Sequence, residues 1–259
     1  MAELLGTVRR ALRVLDFLAE REEPVPIKRI AAELRLNISS AYHVLHTLAA
    51  DGYVTRDERS GAYGLGPQAA RLGDAYARSW PVEPALRAIV AELGTRTDEN
   101  AYLAVVHGRD VVITEIVESR QRVRVHALHR GYSADLHARA LGKAVLAHRE
   151  AGAVREHFAT HPPRRLTVRT LVSLPAIETE LERVRRRGYG EDIEEFCEGV
   201  CCVGAAFFGQ DGAPAGSLSV SVPAFRYRTV RATLRVAVRD AARAATAALH
   251  TAARGIARG

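Results

Sequence analysis

Two groups of side chains in this sequence could do chemistry. Cys197, Cys201 and Cys202 lie close together. A thiol with a histidine base such as His126 or His137 would make a nucleophilic pair, but no catalytic signature surrounds any of them. Three clustered cysteines are not a disulfide framework. Cys197-x3-Cys201 also falls short of the four ligands a structural zinc site needs. Neither a metal nor a cofactor is expected, and the chain is not read as an enzyme. The second group is Ser217, Ser219 and Ser221, which alternate with Leu218, Val220 and Val222. On a strand the serines share one face and the apolar residues the other. The apolar face suits a core. The serine face either meets solvent or donates hydroxyls to an anion.

The elements that must carry these residues can be read from periodicity. Val8, Ala11, Leu12, Leu15 and Leu18 recur at helical spacing, and Pro24 and Pro26 end that helix. Ile27, Ile30, Ala31 and Leu34 mark a second helix. A third has Ile38, Ala41, Leu45 and Leu48 inward, with Asn37 or Ser39 as N-cap. Residues 53–56 and 62–65 flank a polar, Gly-bearing turn and read as a hairpin. Three helices and a hairpin make a winged helix-turn-helix over residues 1–66, whose third helix would enter a major groove. A further helix runs from Pro67 to Ser79, with Trp80 at its end as a possible interface aromatic.

From residue 81 onward helices and strands alternate. A helix from Leu86 is closed by Gly94. Strands over 101–106 and 111–117 flank a turn at 107–110, and Val123–His126 continues the meander. Helices follow at 138–148 and 175–187, the second capped by Ser173 and stopped by Gly188. Strands at 200–208 and 215–222 precede a long Ala/Arg-rich helix over 229–253. This is an α+β arrangement, an antiparallel sheet with helices packed on it. Free N–H groups at the start of the 138–148 helix would favour a carboxylate.

Composition narrows the partners. The chain has 259 residues, 47% hydrophobic and 26% charged, as folded soluble domains have. It lacks an apolar run long enough for a membrane helix and a signal-peptide opening, so a cytoplasmic location and no membrane partner are expected. The net charge of +7 favours an anionic partner. Residues 1–66 nonetheless hold nine Lys and Arg against nine acids, so the excess lies in the second part.

The residues now resemble a known family. The stretches 8–15, 30–34, 48–54 and 63–66 look like the N-terminal landmarks of IclR-type bacterial transcription regulators. The stretches 136–147, 183–189, 195–203 and 217–221 look like the landmarks of its second half. The resemblance implies a winged helix-turn-helix, a linker helix over 67–80 that contributes to dimerisation, and a GAF-like effector domain over 81–259. It implies a ligand-responsive regulator, with a repressor favoured. Its partners would be a pseudo-palindromic double-stranded DNA operator, a small organic acid and a second copy of the chain, as homodimer or dimer of dimers. The alternative is a DNA-binding architectural protein with a vestigial, ligand-free sensor.

The resemblance also places residues. The DNA-facing set would be Ser39, Ser40, Tyr42, His43 and His46, with cations from Arg9, Arg10, Arg13, Arg35, Arg56 and Arg59. The family carries Lys or Arg early in its recognition helix, where this chain has Ile38 and His43. The effector-contacting positions would be Ala140, Leu141, Asp192, Cys202, Ser219 and Ser221. Asp192 would take a ligand hydroxyl or a water rather than a carboxylate. Arg139 replaces a small hydroxyl residue usual at its position, and would add a cation at the pocket mouth or point to solvent.

Overall fold

A computed structural model describes residues 5–19, 21, 23–79, 84–121 and 128–256. The chain divides into two compact units, Met1–Pro81 and Val82–Gly259. The expected strand at Val123–His126 and the aromatic Trp80 lie outside the described residues.

In the first unit, helices α1 (Gly6–Ala19), α2 (Ile27–Leu34) and α3 (Ile38–Ala50) precede the hairpin β1 (Val54–Arg56) and β2 (Tyr63–Leu65) and helix α4 (Pro67–Ser79). Val14, Phe17 and Leu18 of α1 pack on Ile30 and Leu34 of α2, on Val44, Leu45 and Leu48 of α3, and on Val54 and Tyr63. The buried face of α1 is rotated from the one its periodicity suggests. Val8 and Leu12 are exposed, and Val14 and Phe17 take their place. Ile38, expected inward, is exposed as well, with Val44 inside. Each helix has more apolar residues than its core can take, so packing sets the phase that spacing leaves open. Asn37 caps α3: its Oδ1 accepts from the Ser40 N–H at 2.7 Å. The hairpin tip is closed by Asp57, which accepts from the Ser60 N–H and hydroxyl, both at 2.7 Å. These bonds hold its carboxyl below its ordinary pKa.

The second unit is a five-stranded antiparallel sheet in the order β4-β3-β7-β6-β5. The strands are β3 (Asn100–His107), β4 (Asp110–Val117), β5 (Gly190–Ile193), β6 (Val200–Phe208) and β7 (Pro214–Pro223). One face packs on α5 (Pro84–Thr97) and the long α9 (Ala224–Ile256), through Val90 and Leu93 and through Leu234, Val238 and Ala245. The other is covered by α6 (Ala140–Leu146), α7 (Ala151–Thr160) and α8 (Leu174–Arg187), through Leu141, Val145, Phe158 and Leu181. No solvent face is left: Leu218, Val220 and Val222 are buried on one side, Ser217, Ser219 and Ser221 on the other.

Several local expectations change. Gly94 does not close its helix; α5 continues to Thr97. A Cβ at Gly94 would lie 2.8 Å from Val117 Cγ1, so glycine there lets the helix approach the sheet. Helix α6 begins at Ala140 rather than 138 and has seven residues, too short for a strong terminal dipole. Ser173 stands at the N-cap of α8 without a side-chain bond, while Gly188 does stop that helix at φ 76°. Helix α7 has few apolar residues to give a period, and β5 is four residues long with two acids, so neither shows in the sequence pattern. Removing the α3 cap gives a direct check. Asn37→Ala should lower the stability of the first unit by about 1 kcal/mol, whereas Asn37→Asp should keep most of it. Urea titration followed by helix circular dichroism would measure this, and an unchanged midpoint in Asn37→Ala would mean that the cap contributes nothing.

Candidate functional site

In the first unit the N-cap at Asn37 starts α3 so that Ala41, Val44, Leu45 and Leu48 face inward. The opposite side then presents Ser39, Tyr42, His43 and His46, all exposed, while Ser40 is half-buried at the capped turn. Tyr42 meets the His43 ring edge-on at 5.8 Å and the His46 ring at 6.0 Å. The exposed face is therefore aromatic and hydroxylic, with hydroxyl, phenol and imidazole groups of the kind that can pair with base edges. Arg9 lies on α1, Arg35 in the left-handed turn closing α2 (φ 53°), and Arg56 and Arg59 on the hairpin. Among the described residues none of these four has an acidic partner. Arg10 is half-buried and donates to Thr7. Arg13 instead donates to the Leu34 carbonyl at the end of α2, a role within the fold.

In the second unit the strand register lines up two rows of side chains on the face beneath α6, because directly paired residues share a face. One row is Tyr102, Ser219, Gly204 and Gly190; the other is Asn100, Ser221, Cys202 and Asp192. The first row becomes small as it runs under α6. A Cβ at Gly204 would lie 3.1 Å from the Leu141 nitrogen, so only glycine lets α6 sit this low. The six positions expected from sequence, Ala140, Leu141, Asp192, Cys202, Ser219 and Ser221, converge on one cavity with Tyr102, Leu128, Arg139, Phe196 and Val200. Ser217 shares the face but lies away from the cavity, its hydroxyl buried and unpartnered.

The cavity polar groups are only partly paired with one another. The Tyr102 hydroxyl meets Ser221 Oγ at 3.0 Å, and burial raises its pKa. The Ser219 hydroxyl has no protein partner among the described residues. Asp192 is buried on an edge strand rather than lying in a turn, and its Oδ1 accepts from the Glu195 and Phe196 N–H groups at 2.7 and 3.2 Å. Burial pushes its carboxyl up to about 7 despite the neighbouring Lys143. Lys143 holds the same turn from beneath, donating to the Glu191 carbonyl and to Glu195. Burial, then the Asp192 carboxyl, raises the Cys202 thiol well above its usual value; a nucleophilic cysteine requires the opposite shift. Arg139 enters the site rather than solvent and is almost fully buried. Tyr102, Leu128, Phe196 and Val200 were not legible as site residues. Tyr102 stands in an apolar strand run, and only its pairing with Ser219 reveals it.

Asp192 supplies a pH test. Its folded pKa of about 7 lies above the usual 3.8, so between those values the folded chain holds a proton that the unfolded chain has released. Stability then falls as pH rises through this window. Asp192→Asn keeps the acceptor used by Glu195 and Phe196. It should be more stable than the native chain at about pH 8, by on the order of 3 kcal/mol at about 1.4 kcal/mol per pKa unit. The gap should close toward about pH 4. A gap independent of pH, read from urea midpoints, would show that Asp192 is ionised throughout.

Residues 7–58 match the family model of the IclR helix-turn-helix domain, and residues 74–247 that of the bacterial transcriptional regulator IclR C-terminal domain. The HTH-type transcriptional regulator BhcR of Paracoccus denitrificans is 32% identical over 246 residues, covering 93% of this chain and 88% of that protein. The crystal structure of Thermotoga maritima IclR superposes with a TM-score of 0.70 at 25% identity, covering 94% and 98% of the two chains. An IclR homolog of Microbacterium hydrocarbonoxydans, solved in complex with 4-hydroxybenzoate, shares the fold with a TM-score of 0.68 at 21% identity, covering 95% and 100%.

Proposed function

This chain belongs to the IclR family of DNA-binding transcription regulators, and from that premise we propose that it is a repressor whose second unit binds a small organic acid and thereby alters operator binding. The observation that carries the reading is the cavity beneath α6. It gathers Tyr102, Asp192, Ser219 and Ser221, all buried, beside Leu128, Leu141, Phe196 and Val200. Packing alone would not favour these groups there, since buried polar groups are costly unless partnered. A carboxylate would give Ser219 and Ser221 the acceptor that the protein supplies incompletely. The structural relative that holds 4-hydroxybenzoate, an organic acid, supports the same ligand class. Asp192, with its raised pKa, suits a ligand hydroxyl or a water.

The DNA side follows from the first unit. The α3 face of Ser39, Ser40, Tyr42, His43 and His46 would read bases. Arg9, Arg10, Arg35, Arg56 and Arg59 would supply phosphate contacts around it. One such helix gives limited specificity, and helix-turn-helix proteins bind two half-sites as dimers. A homodimer or dimer of dimers on a pseudo-palindrome is therefore part of the proposal. The exposed apolar residues Leu5, Val8 and Leu12 on one side of the α1 segment suit burial against another copy. The competing reading, an architectural DNA binder with a vestigial sensor, would leave the buried polar cavity without a use.

Two measurements test these roles. Arg56→Ala should weaken binding to every DNA sequence and flatten the salt dependence by about one unit of slope, while His43→Ala should change sequence preference. A changed preference in Arg56→Ala with the salt slope intact would reverse the two roles. For the effector, each hydrogen bond to a charged group contributes roughly 1.5–3 kcal/mol. Ser219→Ala/Ser221→Ala should therefore lose at least tenfold in affinity for the best of a panel of carboxylic acids by calorimetry, since about 1.4 kcal/mol is one decade. Unchanged affinity would place the ligand elsewhere. No response to any acid would favour the architectural reading.

A further inference from the structure

Arg139 is the largest of the fully buried side chains and stands at the N-cap of α6. Its guanidinium lies 4.8 Å from the centroid of the Tyr132 ring. Nε, Nη1 and Nη2 are all buried and have no hydrogen-bond partner among the described residues. The nearby acids are already engaged. Asp135 takes the Arg164 fork at 3.1 and 2.5 Å and the Tyr132 hydroxyl at 2.8 Å. Asp192 accepts two backbone N–H groups, and burial favours its neutral form. Burial also lowers the Arg139 pKa, to about 10, so the group remains a cation at neutral pH. Asp135 and Asp192 act on Arg139 only through their fields, and a buried guanidinium with no hydrogen-bond acceptor is costly in a protein interior.

The same cavity contains the unpartnered Ser219 hydroxyl and is walled by Leu128, Leu141, Phe196 and Val200. With Arg139 in place the free space is only about 10 Å³, room for roughly one water. The guanidinium therefore occupies the volume a ligand would need, and lacks the anion a ligand would bring. We propose that Arg139 is the charge-selecting residue of the effector pocket, filling it when empty and pairing with the effector carboxylate when bound. This rests on the effector reading above and sharpens it. The planar fork matches a carboxylate with two parallel N–H···O bonds, and Ser219 and Ser221 complete the remaining acceptor positions. The pocket thus takes small monocarboxylates with a compact apolar body and rejects their neutral analogues, which would leave the cation unpaired.

The test compares the full-length native chain, Arg139→Met, Arg139→Lys and Ser219→Ala/Ser221→Ala by thermal unfolding and calorimetry. The probes are benzoate, 4-hydroxybenzoate, propionate and pyruvate, with the primary amide of each. Without ligand, Arg139→Met should unfold at a higher temperature than the native chain, because an uncompensated buried charge is removed. At least one acid should stabilise the native chain while its amide does not. Arg139→Met should weaken that acid at least tenfold, and Arg139→Lys, which keeps the charge but loses the fork, by an intermediate factor. If that acid binds Arg139→Met as tightly as the native chain, yet is lost in the serine double variant, the Arg139 inference falls and the effector reading stands. If the amide binds as well as the acid, or if Arg139→Met without ligand is no more stable than the native chain, the inference falls as well. If no acid affects the native chain, the effector reading falls and the inference with it.

Discussion

A sheet covered on both faces has no solvent side, so each polar side chain its strands carry must find a partner in the interior. The second unit depends on this constraint. Its apolar face meets α5 and α9 without difficulty. Its other face carries Asn100, Tyr102, Asp192, Cys202, Ser217, Ser219 and Ser221 beneath α6. Some of these residues satisfy one another, as Tyr102 and Ser221 do. Others, with Arg139 above them, do not. Buried polar groups left incompletely paired call for an explanation, and the proposed effector would supply one here.

Close packing and buried hydrogen bonds connect the elements around the cavity. Gly204 lets α6 lie against the strands. Lys143, buried in that helix, fixes the turn that carries Glu195 and Phe196. The adjacent Glu191 on β5 accepts from Tyr227 and from the Arg235 fork of α9, with the Arg235 bonds at 2.9 and 2.7 Å. Strand β5 thus carries Asp192 into the cavity and binds the long terminal helix through the next residue. A change at the cavity and a shift of α9 would be mechanically linked through this one short strand.

The first unit solves a different problem. Helix α3 carries no Lys or Arg, and the cations proposed to face DNA sit on α1, on the turn after α2 and on the hairpin. On the proposed reading, phosphate attraction and base reading would fall to different elements. The turn at Asp57 to Ser60 and the cap at Asn37 keep the hairpin and helix in defined orientations without long charged side chains.

By itself the sequence determined most element types and their order, though not α7 or β5, together with the two-part organisation and the family. These follow from local periodicity, turn residues and motifs that need no partner to be recognised. It also marked Ser219 and Ser221 as sharing a face, since strand alternation is local. It did not determine helix phase: Val8, Leu12 and Ile38 look like core residues, and only packing against neighbouring helices exposes them. It did not show that the serine face is buried, because that depends on α6, α7 and α8 returning over the sheet. Asp192, Cys202 and Ser221 came together only through cross-strand register, a pairing between residues far apart in the chain. Arg139 shows the difference most sharply. Its residue type argues for solvent, and only the closed layer above the sheet places its charge inside.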